Sequence, residues 1–177
     1  MRKMLKKFLL LLALMTILAA ILASSLMGCT QKEAKPLTGI TGITIQPEPG
    51  QYLVYDNEES AGFILSSVTS KSDVCDRDYI DPKDHATVRK GEPCLIITGQ
   101  VESELSQDKY MTLSARGYDA GENEVTYVLD AGPIWGVISI FIPSKGTGEF
   151  TLHLKAAPGI VKIELLPSPE LYDEPPP

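Results

Sequence analysis

The chain has 177 residues, with 16 Lys+Arg against 23 Asp+Glu and a formal net charge of −7. Such a balance excludes a nucleic-acid partner, because an acidic surface repels a polyanion. Three cysteines and two histidines, His85 and His153, with no CxxC spacing, give a zinc site no support.

Arg2, Lys3, Lys6 and Lys7 make a positive start, and Phe8 to Ala23 is apolar apart from Thr16. Ser24-Ser25 and small residues follow, which is the layout of a secretory leader. Read alone, the run from Phe8 to Met27 also approaches the ~20 residues of an uncleaved anchor. What favours cleavage is Leu26-Met27-Gly28-Cys29, which resembles the bacterial lipoprotein signal Leu-x-Gly/Ala-Cys. The resemblance implies a diacylglycerol on Cys29 and removal of a signal peptide, residues 1–28. The protein would then be lipid-anchored in the cell membrane or outer envelope, facing outside the cytoplasm. Several acyl chains on one residue hold far more firmly than one, at ~0.8 kcal/mol per buried methylene. Losing 1–28 removes four cations and no acid, so the remaining 149 residues carry −11.

With Cys29 given to lipid, Cys75 and Cys94 are left either as a pair outside the reducing cytoplasm or as two unpaired thiols. A bridge would close a loop of ~20 residues and contribute about 3 kcal/mol by restricting the unfolded chain.

Residues 29–50 read as the lipidated cysteine and a flexible tether, with Pro36, Pro47 and Pro49 and few core-forming groups. Ile43 and Ile45 could begin an edge strand that Pro47 would stop. Tyr52 to Tyr55 and Phe63 to Val68 are short candidate strands. Ser70 to Pro93 reads as one long polar connection containing Asp73, Asp76, Asp78, Asp81 and Asp84. Connections of that length in a small domain are usually functional or mobile.

After it the strands come close together. Leu95 to Val101 is apolar and β-branched. Tyr110 to Tyr118 alternates, with Met111, Leu113 and Ala115 inward against Thr112, Ser114 and Arg116. Asp119 to Asn123 turns the chain, with Gly121 expected to take positive φ. Val125, Tyr127 and Leu129 line one face of the next strand, which Gly132-Pro133 breaks. Ile134 to Ile142 is apolar on both faces and reads as buried on both. Beyond the Ser144–Gly148 turn, Phe150, Leu152 and Leu154 alternate with Thr151, His153 and Lys155. Val161, Ile163 and Leu165 follow the Pro158-Gly159 turn. Short strands punctuated every 8–12 residues or so predict an all-β, antiparallel sandwich over 51–167. Residues 168–177 read as a Pro-rich disordered tail.

Three stretches carry a family resemblance: Gly99-Gln100-Val101, the alternating strand ending Tyr118-Asp119, and Ile142-Pro143-Ser144-Lys145-Gly146 leading to Phe150. Together they resemble the FxLYD-type, immunoglobulin-like β-sandwich modules of bacterial and archaeal surface lipoproteins, over roughly 94–167. The resemblance implies a fold and a setting, and brings no catalytic residues with it.

Chemistry in the sequence is sparse. A nucleophile needs an adjacent base, yet no G-x-S-x-G is present and His153 stands at an outward strand position, where a solvated side chain is expected. Ser144-Lys145 is accounted for by its turn. Tyr110, Tyr118, Tyr127 and Trp135 could form a sugar- or protein-binding cluster, but their places within strands favour core packing. Asp76, Asp78, Asp81 and Asp84 could ligate calcium, although the EF-hand spacing is absent. The expectation is therefore a non-catalytic surface lipoprotein with a binding or scaffolding sandwich, without cofactor or resident metal. Its partners would be the membrane and an envelope protein or glycan. The alternatives are a calcium- or solute-binding lipoprotein and, behind it, a small envelope enzyme. Loops carry function on a sandwich, so Asp76, Asp78, Tyr79, Asp81 and Asp84 are the expected recognition residues.

Overall fold

A computed structural model describes residues 42–53, 62–80, 87–131 and 135–176. The leader, Cys29, His85, Asp81 and Asp84 lie outside the described residues. Among those described there are ten strands and no helix. Strands β2 (Phe63–Val74), β5 (Pro93–Ser103) and β9 (Thr147–Lys155) form an antiparallel three-stranded sheet in the order β2-β5-β9. The second sheet has five strands. In it, β1 (Thr44–Gln46) lies beside β10 (Lys162–Tyr172), which pairs with β6 (Lys109–Tyr118). The far edge of β6 is shared by β8 (Ile138–Ile142) at its start and β7 (Glu124–Tyr127) at its end. A two-residue hairpin, β3 (Tyr79–Ile80) with β4 (Thr87–Val88), stands apart from both sheets.

The sheets close on one apolar core because the period-two residues of both point into it. Phe150, Leu152 and Leu154 from β9 meet Leu95, Ile97 and Val101 from β5 and Met111, Leu113 and Ala115 from β6. Each fully buried leucine contributes about 1.5–3 kcal/mol by leaving water. The all-β sandwich expected from the sequence is the fold. It is not purely antiparallel, since β1 runs parallel to β10, with Thr44 opposite Lys162 and Gln46 opposite Glu164.

Several local expectations change. The polar connection starts at Cys75, because β2 continues through Ser70–Val74, paired with Ile97–Pro93. An edge strand needs hydrogen-bond partners on one side only, so it tolerates polar residues there, and Lys71 pairs with Asp73 at 2.7 Å. The boundaries move too. Thr44–Gln46 forms the edge strand that Ile43 and Ile45 suggested, ending before Pro47 although it lies within residues read as tether, and β10 runs beyond 168, placing Leu171 opposite Met111 and Tyr172 opposite Tyr110. Strand β8 is buried on one face alone: Ile140 and Ile142 enter the core, whereas Phe141 is 47% exposed. Thr112, expected outward, is buried. In the Asp119–Asn123 turn, positive φ falls on Glu122 (61°) and not on Gly121. Asp119 Oδ1 holds that turn by accepting from the N–H groups of Gly121 and Asn123 at 2.8 and 3.0 Å.

Candidate functional site

The outer face of the three-stranded sheet divides into a covered half and an open half. At the covered end the outward positions are Cys94 and Ile96 of β5 and His153 of β9, with Ile96 opposite His153. Cys75 is bonded to Cys94, with Cα atoms 5.2 Å apart. Beside the bond, the Cys75 N–H donates to Glu92 O at 2.8 Å and the Gly91 N–H to Cys75 O at 2.9 Å. These links pin both ends of the connection and lay the β3–β4 hairpin on the sheet. Tyr79 and Val88 then pack with Cys75, Cys94 and Leu129, against Ile96, Tyr127 and Trp135. Tyr127 and Trp135 thus belong to this second apolar cluster and not to the main core.

Between hairpin and sheet lies a polar network centred on Asp130. Past β7 the backbone crosses to the other sheet, where Val128 pairs with Leu154 and the Leu129 N–H donates to His153 O at 2.7 Å. That crossing brings Asp130, with only 7% of its side chain exposed, against β9. Its Oδ2 accepts the His153 main-chain N–H at 2.6 Å, His153 Nδ1 lies 3.1 Å from Oδ1, and Arg77 Nη2 donates to Oδ1 at 3.2 Å. The Arg77 guanidinium also sits 5.0 Å from the centre of the Tyr79 ring, and the His153 ring lies 5.5 Å from it, tilted. His153 is therefore not the solvated side chain its outward strand position suggested. Its side chain is 14% exposed, because the hairpin covers it.

The carboxylates beside the hairpin stay exposed but are hydrogen-bonded within it. Asp76 Oδ1 accepts from the Tyr79 hydroxyl at 3.0 Å, and Asp78 Oδ1 from the Lys90 N–H at 2.7 Å. Burial pushes the Tyr79 phenol up to about 12, helped by the bond to Asp76 and the Asp130 charge. For Asp76, burial opposes ionisation but is outweighed by the Tyr79 hydroxyl and by His153 and Arg77, so its carboxyl sits below the usual range. Of the expected recognition residues, Tyr79 is buried and Asp76 and Asp78 are engaged within the hairpin. The apolar group presented to solvent is Ile80, 60% exposed. Among the described residues, no three of His, Cys, Asp and Glu gather as metal ligands.

Asp130 was missed by sequence reasoning. Nothing marks it within Val-Leu-Asp-Ala-Gly, because its partners come from residues 77 and 153. A usable signal did exist. Apolar Ile96 and Cys94 at outward positions of β5 mean that something must cover that end of the sheet.

The open half is polar. Thr69, Thr98, Gln100, Glu149 and Thr151 line a shallow depression of about 350 Å³. Across it the Thr69 and Thr98 hydroxyls bond at 2.9 Å and Gln100 donates to Glu149 at 3.1 Å. No family model, curated protein or solved structure matches the chain. The geometry alone must carry a functional reading.

Proposed function

We propose that this chain is a non-catalytic surface lipoprotein, acylated on Cys29, whose immunoglobulin-like sandwich is a binding or scaffolding module outside the cytoplasm. The observation that carries the non-catalytic part is the closure of the Asp130 network. Its carboxylate oxygens are taken by Arg77 and by two nitrogens of His153, and the imidazole lies under Tyr79. A general base must reach a substrate proton; this histidine is committed to holding a hairpin against a sheet. The Cys75–Cys94 bond supports a location outside the reducing cytoplasm. The Leu26-Met27-Gly28-Cys29 signal supports the lipid anchor.

The test is metabolic labelling with an alkyne fatty acid. The wild-type chain should take up label and partition with membranes, and Cys29→Ser should do neither. Label persisting on Cys29→Ser would refute the anchor. Capture of a specific envelope component by the detergent-solubilised protein would support the binding role. Turnover of a chemical substrate that His153→Ala abolishes would replace it with an enzyme.

A further inference from the structure

Strand β2 leaves part of its outer edge unpaired. Along Phe63–Leu65 that edge is taken by the preceding chain: the Leu53 N–H donates to Phe63 O, the Leu65 N–H to Gln51 O and the Gly50 N–H to Leu65 O. Past a bulge at Ser66 this cover ends. The direction of the remaining main-chain groups follows from β9, where His153 turns its N–H to Asp130 and its C=O to Leu129, away from β5. Such groups alternate along a strand, so Thr98 and Ile96 of β5 bond toward β2, and Val68 and Ser70 turn theirs outward. Among the described residues, no main-chain bond from another segment reaches Val68 or Ser70. Ser70 stands on the inner side of the sheet, opposite Ile97, yet is exposed, so the second sheet does not overhang this edge. At the far end Asp73 Oδ1 accepts the Val74 N–H at 2.9 Å, and from Cys75 the chain leaves for the hairpin.

A row of main-chain donors and acceptors at strand spacing has one complement, another extended strand. The strand that fits this stretch is its own copy. In an antiparallel, two-fold pairing centred on Ser70, Ser66–Val74 lies along itself from end to end, with Val68 opposite Ser72 and Thr69 opposite Lys71. Neighbouring centres fail. Centred on Thr69, the copy's Asp73 would stand beside Leu65, where Gln51 already sits. Centred on Lys71, two ammonium groups face each other directly, which destabilises a pair of strands. Centred on Ser72, Val68 would face Asp76, beyond the end of the strand. Charge is compatible with the Ser70 centre. A lysine commonly blunts an edge, but Lys71 is paired with its own Asp73 and meets a threonine hydroxyl across the axis.

We infer that the Val68–Ser70 edge of β2 pairs with the same edge of a second copy, joining two three-stranded sheets into one of six strands. A single paired edge is a small contact, so the association is weak and depends on concentration. It is independent of the lipid anchor and of any envelope component the module binds.

The experiment combines sedimentation with cross-linking, on the full-length chain in detergent carrying Cys29→Ser. Dimer should accumulate at concentrations up to about 1 mM. Opposed residues of a hydrogen-bonded antiparallel pair have Cα atoms about 5.5 Å apart, within disulfide range. Ser70→Cys should therefore give a covalent dimer on mild oxidation, mapped by mass to residue 70, and Ser67→Cys should not. Ser70→Asp should weaken association about tenfold, because like charges then meet on the axis. Val68→Pro should weaken it as well, by removing a donor that β5 does not use. Thr151→Asp, on β9 of the same sheet, should change nothing. Unchanged thermal unfolding of Ser70→Asp excludes a folding defect, and Val68→Pro gives a second reading if that variant misfolds. A chain that stays monomeric at about 1 mM overturns the proposal. So do dimers that Ser70→Asp leaves intact, or cross-linking through Ser67→Cys in preference to Ser70→Cys. Capture of a different protein by a monomeric chain, abolished by Ser70→Asp, also overturns it and gives the edge a foreign strand.

Discussion

Asp130 and His153 are joined twice, by the His153 main-chain N–H on Oδ2 at 2.6 Å and by Nδ1 at 3.1 Å from Oδ1. The double contact fixes the chain past β7 to the outward side of β9. Arg77 on the same carboxylate ties the base of the hairpin to that point. One buried carboxylate therefore fastens three segments that are distant in sequence.

Asp130→Ala should be among the most damaging polar substitutions in the domain. It strands a covered imidazole and a main-chain N–H, at a cost of about 2 to 3 kcal/mol. Arg77 adds less, since its side chain is 62% exposed and water can replace the partner. His153→Ala should cost less than Asp130→Ala, and the two should be clearly non-additive in urea unfolding. Additive losses would mean the two residues are not coupled.

Reducing the Cys75–Cys94 bond should lower stability by about 3 kcal/mol, the value for closing a loop of this length. The effect should be local before it is global. Amide exchange at Tyr79 and Val88 should accelerate on reduction, while Leu113 and Leu152 in the main core stay protected until global unfolding. Thiol counting on the denatured, unreduced protein should find neither Cys75 nor Cys94 reactive.

Alkaline titration should separate Tyr79 from the other tyrosines. Its folded value, about 12, lies above the ordinary tyrosine value near 10. The folded state thus holds the phenolic proton more tightly than the unfolded one. The stabilisation is complete below pH ~10 and disappears as pH rises through about 12. Tyrosinate absorbance should lose its latest-titrating group in Tyr79→Phe, while Tyr52, raised by its hydrogen bond to Glu104, and Tyr118, raised by burial, are unaffected. Asp76 has the opposite sign: its contribution is present above the ordinary carboxyl range and is lost as pH falls through its depressed value.

Charge removal in the hairpin should not be silent. Asp76→Asn weakens the bond from the Tyr79 hydroxyl and Asp78→Asn the bond from the Lys90 N–H. The double variant should unfold at lower urea by about 1 kcal/mol or somewhat more. Unchanged unfolding would show that these carboxylates are free for a partner, as the sequence reading had them.

Glu122→Gly should stabilise the domain. Glu122 sits at φ 61°, a conformation that costs a non-glycine residue about 1 kcal/mol, offset partly by the greater unfolded-state entropy of glycine. A gain of about 0.5 kcal/mol in the urea midpoint is expected. A loss would mean that the Glu122 side chain contributes more than its backbone strain costs.

The sequence by itself determined the strands whose side chains alternate. Met111-Leu113-Ala115 and Phe150-Leu152-Leu154 point inward as their period requires, since period two is a local property of an extended backbone. It also narrowed the cysteines to the pair that is bonded. Only the tertiary structure decided what covers an outward face. Local sequence places His153 outward, but whether outward means water depends on a hairpin drawn from residues 79–88 and held by a bond to residue 94. The same holds for Ser70–Val74 and for the residues of β10 beyond 168. Their polar or proline-rich composition reads as loop, and the backbone hydrogen bonds that make them strands come from β5 and β6. Coverage and pairing are non-local, so they become visible only when the partner segments are in place.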